Sequence, residues 1–230
     1  MKKYKLTTET LQFAGRTLHR IKAVKDFDSI KAGEFGGWIE NEKNLSQDDN
    51  AWIYGDAMVF DNAEVYDNAK VYGNANVSGN ANVSGNAEVY GNANVFGNAE
   101  VYGNANVFGY AEVYDNAKVY GYANVSGNAE VSDYAEVSDY AKVYGNAAIK
   151  GDAKVHDAVD YIVFKNFWSS GRYFTWTSSN NKWSVGCFYG TGEELIKKAY
   201  ADSEKSGREY ERVVRYVESI LADEKKEKSN

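Results

Sequence analysis

Aliphatic residues recur every six positions through the middle of the chain. The series runs from Ile53 and Val59 to Val155, and an alanine stands two residues before nearly every member. Residues two apart on a strand point to the same side, so the pattern predicts short strands with Ala and Val facing inward. A period of six does not match the 3.6-residue period of an α-helix, and Gly, Asn and Val are poor helix formers.

A two-residue corner separates each strand from the next. Gly-Asn, Asp-Asn, Gly-Tyr or Asp-Tyr stands between repeats, and Gly and Asp tolerate the dihedral angles of a tight turn. Three strands per coil would use residues 53–158 to build a single-stranded parallel β-helix of about six coils, roughly 29 Å tall at about 4.8 Å per coil. No loop interrupts this series, which leaves no room for a site inserted between coils.

The residue after each inward aliphatic faces outward, and these residues fall into three rows. The most aromatic row contains four rings in successive coils: Tyr54, Tyr72, Tyr90 and Phe108. An exposed aromatic stripe of this length is a liability in a monomer, so we expect it to be an oligomer interface. The alternatives are a self-stabilising ladder and a ligand-binding stripe. At four corners tyrosine replaces asparagine, either to pack on a neighbouring subunit or by neutral drift: Tyr110, Tyr122, Tyr134 and Tyr140.

The repeat resembles the hexapeptide-repeat family. That resemblance implies a left-handed β-helix and a homotrimer, which the spacing alone does not establish. Residues 1–52 are expected to form an N-terminal cap, in which Trp38, Ile39 and Leu45 continue an imperfect version of the repeat. The stretch from Asp26 to Ala57 is similar to hexapeptide-repeat proteins of phages and prophages that are often called polymer-forming.

Residues 159–190 differ sharply from the repeat, since ten of these 32 residues are aromatic. Turn-forming residues divide them into about three strands. Thr191 and Glu194 have the spacing of a capping box at the start of a first helix, and a second amphipathic helix is expected after Gly207. The sequence therefore predicts a small α+β module over 159–222 and a solvated tail over 223–230, and the GCFYGT stretch at 186–191 resembles a module of the same phage-type proteins.

This module combines aromatic rings with cations, a mixture suited to stacking on a base and pairing with phosphate. The competing interpretation is a hydrophobic core with solvated charges. The ligand-binding residues of the hypothesis are Trp168, Arg172, Tyr173, Phe174, Trp176, Lys182 and Trp183.

Charge and composition narrow the function further. The net charge is −7, and the repeat holds 5 Lys or Arg against 14 Asp or Glu, which argues against a general nucleic-acid binder. Cys187 is the single cysteine, so an internal disulfide is excluded and a cytoplasmic location is expected. No apolar run predicts a signal peptide or a membrane span.

Catalysis is the less favoured reading of the repeat. Many hexapeptide-repeat proteins are acyltransferases that use a histidine as general base near a loop. This chain has only two histidines, His19 and His156, and both are expected at the surface. Metal ligands are not clustered, and no cofactor is predicted.

The sequence therefore favours a non-enzymatic oligomeric scaffold. Its C-terminal module or inter-subunit clefts would bind a host protein or a small nucleotide-like ligand, and the phage resemblance suggests sequestration of a nucleotide-type immune signal. A hexapeptide-repeat acyltransferase and a purely structural assembly protein remain the alternatives.

Overall fold

The computed structural model describes residues 2–227 and divides into two compact units. The first unit ends at Ala158 and the second begins at Val159. The first is a left-handed parallel β-helix of about seven turns, and the second is an antiparallel sheet with two helices. The predicted fold class, mainly β with a small C-terminal α+β module, is confirmed.

Each six-residue repeat forms one strand of two residues, which pairs in parallel with the strand 18 residues later, as Val71 does with Val89. The strands form three faces, named here after one outward ring of each. The Tyr90 face holds Trp52–Ile53, Lys70–Val71, Glu88–Val89, Asn106–Val107, Asn124–Val125 and Lys142–Val143. The Phe96 face holds Met58–Val59, Asn76–Val77, Asn94–Val95, Glu112–Val113, Glu130–Val131 and Ala148–Ile149. The Tyr102 face holds Glu64–Val65, Asn82–Val83, Glu100–Val101, Lys118–Val119, Glu136–Val137 and Lys154–Val155.

The interior of the β-helix contains the predicted alanines and aliphatic residues. From Ala51 to Val155 their side chains are at most 1% exposed. Glycine or aspartate at each corner adopts a left-handed backbone, for example Gly103 with φ of 74° and Asp67 with φ of 58°. At Gly103 a Cβ atom would lie 3.0 Å from the backbone nitrogen of Gly121. Glycine is therefore favoured where the corners of adjacent coils come closest.

One further coil precedes the regular series. Trp38 pairs with Met58, and Leu45 forms a bridge with Val65, so this coil is 20 residues from the next instead of 18. The strand β1 (Tyr4–Phe13) and the strand β2 (Arg16–Ala23) form an antiparallel hairpin. β2 pairs in turn with β3 (Phe35–Ile39). The hairpin therefore extends the Phe96 face and covers the edge of its first strand.

The second unit begins with a four-stranded antiparallel sheet. Its strands, in sheet order, are Tyr161–Lys165, Tyr173–Thr177, Lys182–Val185 and Phe188–Gly190. The helix α1 (Gly192–Asp202) starts at the predicted capping box of Thr191 and Glu194, which is confirmed. The helix α2 (Glu204–Glu227) follows. One apolar core joins the sheet to both helices.

Three boundaries in this unit differ from the sequence prediction. The sheet has four strands instead of three, because Phe188–Gly190 pairs with the preceding strand. α2 begins at Glu204, before Gly207, because the ring of Tyr200 packs where a Cβ of Gly207 would stand, at 2.2 Å. α2 also continues to Glu227, five residues into the predicted tail, and the rest of that tail lies outside the described residues.

Candidate functional site

The outward row on the Tyr90 face forms a continuous aromatic ladder. Tyr72 and Tyr90 stack with ring centroids 4.7 Å apart, and Tyr90 and Phe108 follow at 4.8 Å, both with planes within 2° of parallel. Tyr54 meets Tyr72 edge-on at 6.3 Å. These distances equal the strand spacing of about 4.8 Å, so the β-helix itself sets the stacking distance.

The other two faces hold shorter ladders, which the sequence analysis did not single out. Phe96 stacks on Tyr114 and Tyr102 stacks on Tyr120, both with centroids 5.0 Å apart. The 18-residue period carries the signal for both pairs, since each joins residues one coil apart. All three faces therefore present stacked rings.

Two tyrosines of the ladders are anchored by carboxylates of the following coil. The Tyr72 hydroxyl donates to Glu88 Oε2 at 2.7 Å, and the Tyr120 hydroxyl donates to Glu136 Oε2 at 3.1 Å. Burial, together with the hydrogen bond to Glu88, raises the pKa of Tyr72 above its usual value. These rings remain protonated donors near neutral pH.

The corners carry amide ladders that end in tyrosines. One series links side chains by hydrogen bonds of 3.0 to 3.2 Å: Asn50, Asn68, Asn86 and Asn104. The same corner continues with Tyr122 and Tyr140, whose rings stack at 5.2 Å. All four corner tyrosines are more than half exposed, as the sequence pattern predicts for outward corner positions. Aromatic rings thus lie at the surface toward the C-terminal coils.

The structure does not bring the seven predicted ligand-binding residues together. Phe174, Trp176 and Trp183 lie in the core of the second unit, each at most 3% exposed. The indole nitrogen of Trp176 donates to Asn181 Oδ1 at 2.9 Å, so its polar group is satisfied internally. These three rings pack the sheet against the helices and do not offer a face to a ligand.

The other four predicted residues lie nearer the surface. Trp168 and Arg172 are exposed, whereas Tyr173 and Lys182 are partly buried. Trp168 stacks on Phe167 with centroids 4.2 Å apart, and these two rings are 55% and 70% exposed. We call the pair Phe167 and Trp168 the aromatic turn. The sequence analysis counted Phe167 among the aromatics and left it out of the site.

A buried amide fixes the aromatic turn. Asn166 is 1% exposed, and its Oδ1 accepts hydrogen bonds from the backbone nitrogens of Trp168 and Ser169 at 3.0 and 3.1 Å. Its Nδ2 donates to Ser169 Oγ at 2.9 Å. The turn thus holds two large rings outward on an ordered backbone, which is a suitable geometry for contacting a partner.

The second unit also contains an apolar cavity of about 410 Å³. Its apolar lining comes mainly from one strand and from α2: Ile162, Trp176, Val217, Ile220 and Leu221. The carboxylates of Asp160 and Glu224 lie at its rim. Trp176 contributes to this cavity although the ring is almost wholly buried.

His156 lies at the end of the Tyr102 face and belongs to a polar cluster. Its Nδ1 lies 2.7 Å from Ser138 Oγ and 3.2 Å from Asp139 Oδ2. Both contacts involve the same ring nitrogen, so the arrangement differs from a hydrolase triad, in which serine and aspartate contact different nitrogens. The sequence analysis treated His156 as an isolated surface residue, although the 18-residue period places Ser138 directly beside it.

Metal and membrane sites were also sought in the described part of the chain. Within residues 2–227, no group of three His, Cys, Asp or Glu side chains is placed to hold a metal ion. No helix among the same residues combines the length and apolar character needed to cross a bilayer.

Comparison with known proteins gives one partial match. No family model matches the chain. A segment is 39% identical over 62 residues to a protein of Escherichia coli (strain K12) named "Uncharacterized acetyltransferase YdcK". The match covers 24% of this chain and 19% of that relative, so the chain spans about a fifth of the relative's length. The similarity fits a hexapeptide-repeat β-helix and leaves the activity of this chain to be argued from its own residues.

Proposed function

We propose that this protein is a non-enzymatic scaffold that assembles through a face of its β-helix and binds a partner through its C-terminal unit. The aromatic ladder of the Tyr90 face carries this proposal. Its rings are fixed by the strand spacing and lie on the outside of the β-helix, so they lose little conformational entropy when a second copy covers them. Tyrosine and phenylalanine are also enriched in the cores of protein interfaces.

The assembly would be a homotrimer, as the hexapeptide-repeat resemblance implies. The acidic repeat supports an interface centred on the uncharged ladder, because packed carboxylates would repel one another. Three copies around one axis would gather three C-terminal units at one assembly. Each unit would then bind its partner with the benefit of multivalency.

The aromatic turn and Arg172 are the proposed binding surface of the C-terminal unit. Trp and Arg are the residues that most often dominate binding energy at interfaces. The exposed ring of Trp168 is suited to stacking on a base, and Arg172 is suited to pairing with a phosphate. The partner would be a host protein or a nucleotide-like signal, in keeping with the phage-type resemblance.

The ladder is tested by replacing its rings with serine, a residue that already occupies equivalent positions at Ser78 and Ser126. The variant Tyr72→Ser/Tyr90→Ser/Phe108→Ser should keep its circular dichroism spectrum and lose mass in light scattering after size exclusion. The matched control, Phe96→Ser/Tyr114→Ser, removes a ladder from another face and should keep the wild-type mass. A ladder variant with unchanged mass would contradict the proposal.

An acyltransferase is the second candidate, and one observation favours it in addition to the relative's name. Asp139 and Ser138 contact Nδ1 of His156, an arrangement that can orient the other ring nitrogen as a general base. Turnover of acetyl-CoA with amine or hydroxyl acceptors, abolished by His156→Asn, would establish this activity in place of the scaffold role. The scaffold proposal predicts neither turnover nor acetyl-CoA binding.

A further inference from the structure

Ser84 interrupts a row of tyrosines on the Tyr102 face. Tyr66 lies one coil before it and Tyr102 one coil after it, and Tyr102 stacks on Tyr120 at 5.0 Å with planes within 3° of parallel. Since serine has no ring, one place in this ladder is empty. A cavity of about 250 Å³ occupies that place, lined by Tyr66, Asn82, Ser84, Glu100 and Tyr102. A single aromatic ring fits between the two tyrosines at the spacing that the coils impose.

The edge of the empty place carries a hydrogen-bond acceptor. In two filled places the tyrosine hydroxyl reaches the carboxylate 16 residues later, from Tyr72 to Glu88 and from Tyr120 to Glu136. The residue 16 positions after Ser84 is Glu100, which lines the cavity. Its Oε1 pairs with Lys118 at 3.2 Å, and the carboxylate has further lone pairs for a second donor. A ring in the cavity would therefore meet Glu100 as Tyr72 meets Glu88.

The lining also sets the charge of the ring. One carboxylate and the amide of Asn82 line the cavity, and the lining includes no Lys, Arg or His. An anionic ring would be repelled by Glu100, whereas a neutral ring with an O–H or N–H at its edge would be bound by stacking and by a charge-assisted hydrogen bond.

A similar gap on the Phe96 face is covered. Ser78 lies between Phe60 and Phe96 in the same way. However, Phe60 is 7% exposed, with Phe13 at 5.7 Å between ring centroids and the Arg16 guanidinium 5.4 Å from its ring. The N-terminal hairpin thus shields this gap, whereas the gap at Ser84 opens into a cavity.

We propose that the cavity at Ser84 is a binding site for a small uncharged aromatic molecule that carries a hydrogen-bond donor. The ring stacks between Tyr66 and Tyr102, and its donor binds Glu100. This site is independent of the aromatic turn and does not require the assembly proposed above.

Saturation-transfer NMR with two matched probes tests the site. p-Cresol carries the required donor, and 4-methylanisole has a similar ring without one. Wild-type protein should transfer saturation to p-cresol at least several-fold more strongly than to 4-methylanisole. Ser84→Tyr fills the cavity with the protein's own ring and should abolish the p-cresol signal, while Ser78→Tyr, the matched control, should retain it.

Thermal melting first establishes that each variant is folded, which is expected because serine and tyrosine already alternate along this row. Tyr66→Ser, which removes one wall of the cavity, should also abolish the signal and decides the question if Ser84→Tyr does not fold. The proposal is overturned if wild-type protein gives no p-cresol signal, or if Ser84→Tyr and Tyr66→Ser retain it. Loss of the signal in Ser78→Tyr would also overturn it, because the ring would then bind elsewhere.

Discussion

Lys3 provides a prediction whose size follows directly from the structure. Its side chain is 1% exposed, and its Nζ donates to the backbone oxygens of Asp48 and Ala51 at 3.0 and 2.8 Å. These oxygens belong to the segment in which the first coil is two residues longer than the others. Burial lowers the pKa of Lys3 from 10.5 to about 8, although the nearby carboxylate of Asp49 partly opposes this shift.

The sign of the effect follows from proton linkage. Between pH 8 and pH 10.5 the unfolded chain keeps the Lys3 proton that the folded chain has released, so the free energy of unfolding rises with pH. From pH 7 to pH 9 this difference in pKa corresponds to about 1.4 kcal/mol. Above about pH 10 the tyrosines act in the opposite direction, because burial raises the pKa of Tyr4 and Tyr72 and the unfolded chain then loses protons first.

The assay is urea denaturation followed by far-ultraviolet circular dichroism at pH 7, 8 and 9. The Lys3→Met variant is the comparison, because it retains most of the buried stem and removes the titrating group. The free energy of unfolding of the wild type, minus that of the variant, should rise by about 1.4 kcal/mol over this range. A difference that stays constant or falls with pH would refute the assignment of a lowered pKa to a buried Lys3.

Three further predictions concern stability. Val101→Ala removes two buried methyl groups from the centre of the β-helix and should cost about 2 kcal/mol in urea denaturation; a cost near zero would contradict the packed interior. Gly103→Ala should lower the melting temperature more than Gly145→Ala, because both have positive φ but only Gly103 lies against the next corner; equal shifts would exclude the close contact. Thr191→Ala should cost about 1 kcal/mol by removing the capping box of α1, with Thr191→Ser as the conservative control.

Most of the β-helix could be predicted from the sequence because its pattern is local and repeats without change. The inward positions, the corners and the first aromatic ladder all follow from a period of six and three faces. The extra first coil was visible only as the imperfect repeat at Trp38 and Leu45, since its longer spacing breaks the period. The pair of His156 with Ser138 and the gap at Ser84 were also present in the rows, but neither has meaning until the coils are placed one above another.

The C-terminal unit was harder to predict, because aromatic residues serve equally well in a core and in a binding site. Phe174 and Trp176 are two residues apart and share one side of a strand, which fits either role. Only the position of α1 and α2 over the sheet shows that these rings, with Trp183, form the core. The sequence could not show which rings the helices would cover, and it left Phe167 out of the site although that ring is exposed.

The mass of the wild-type protein in solution tests the central claim most directly, that the β-helix is an assembly scaffold. Sedimentation equilibrium over a range of micromolar concentrations gives this mass without any substitution. The scaffold account predicts a single species of three times the chain mass of 25.6 kDa. A species of one chain mass at every concentration would contradict it.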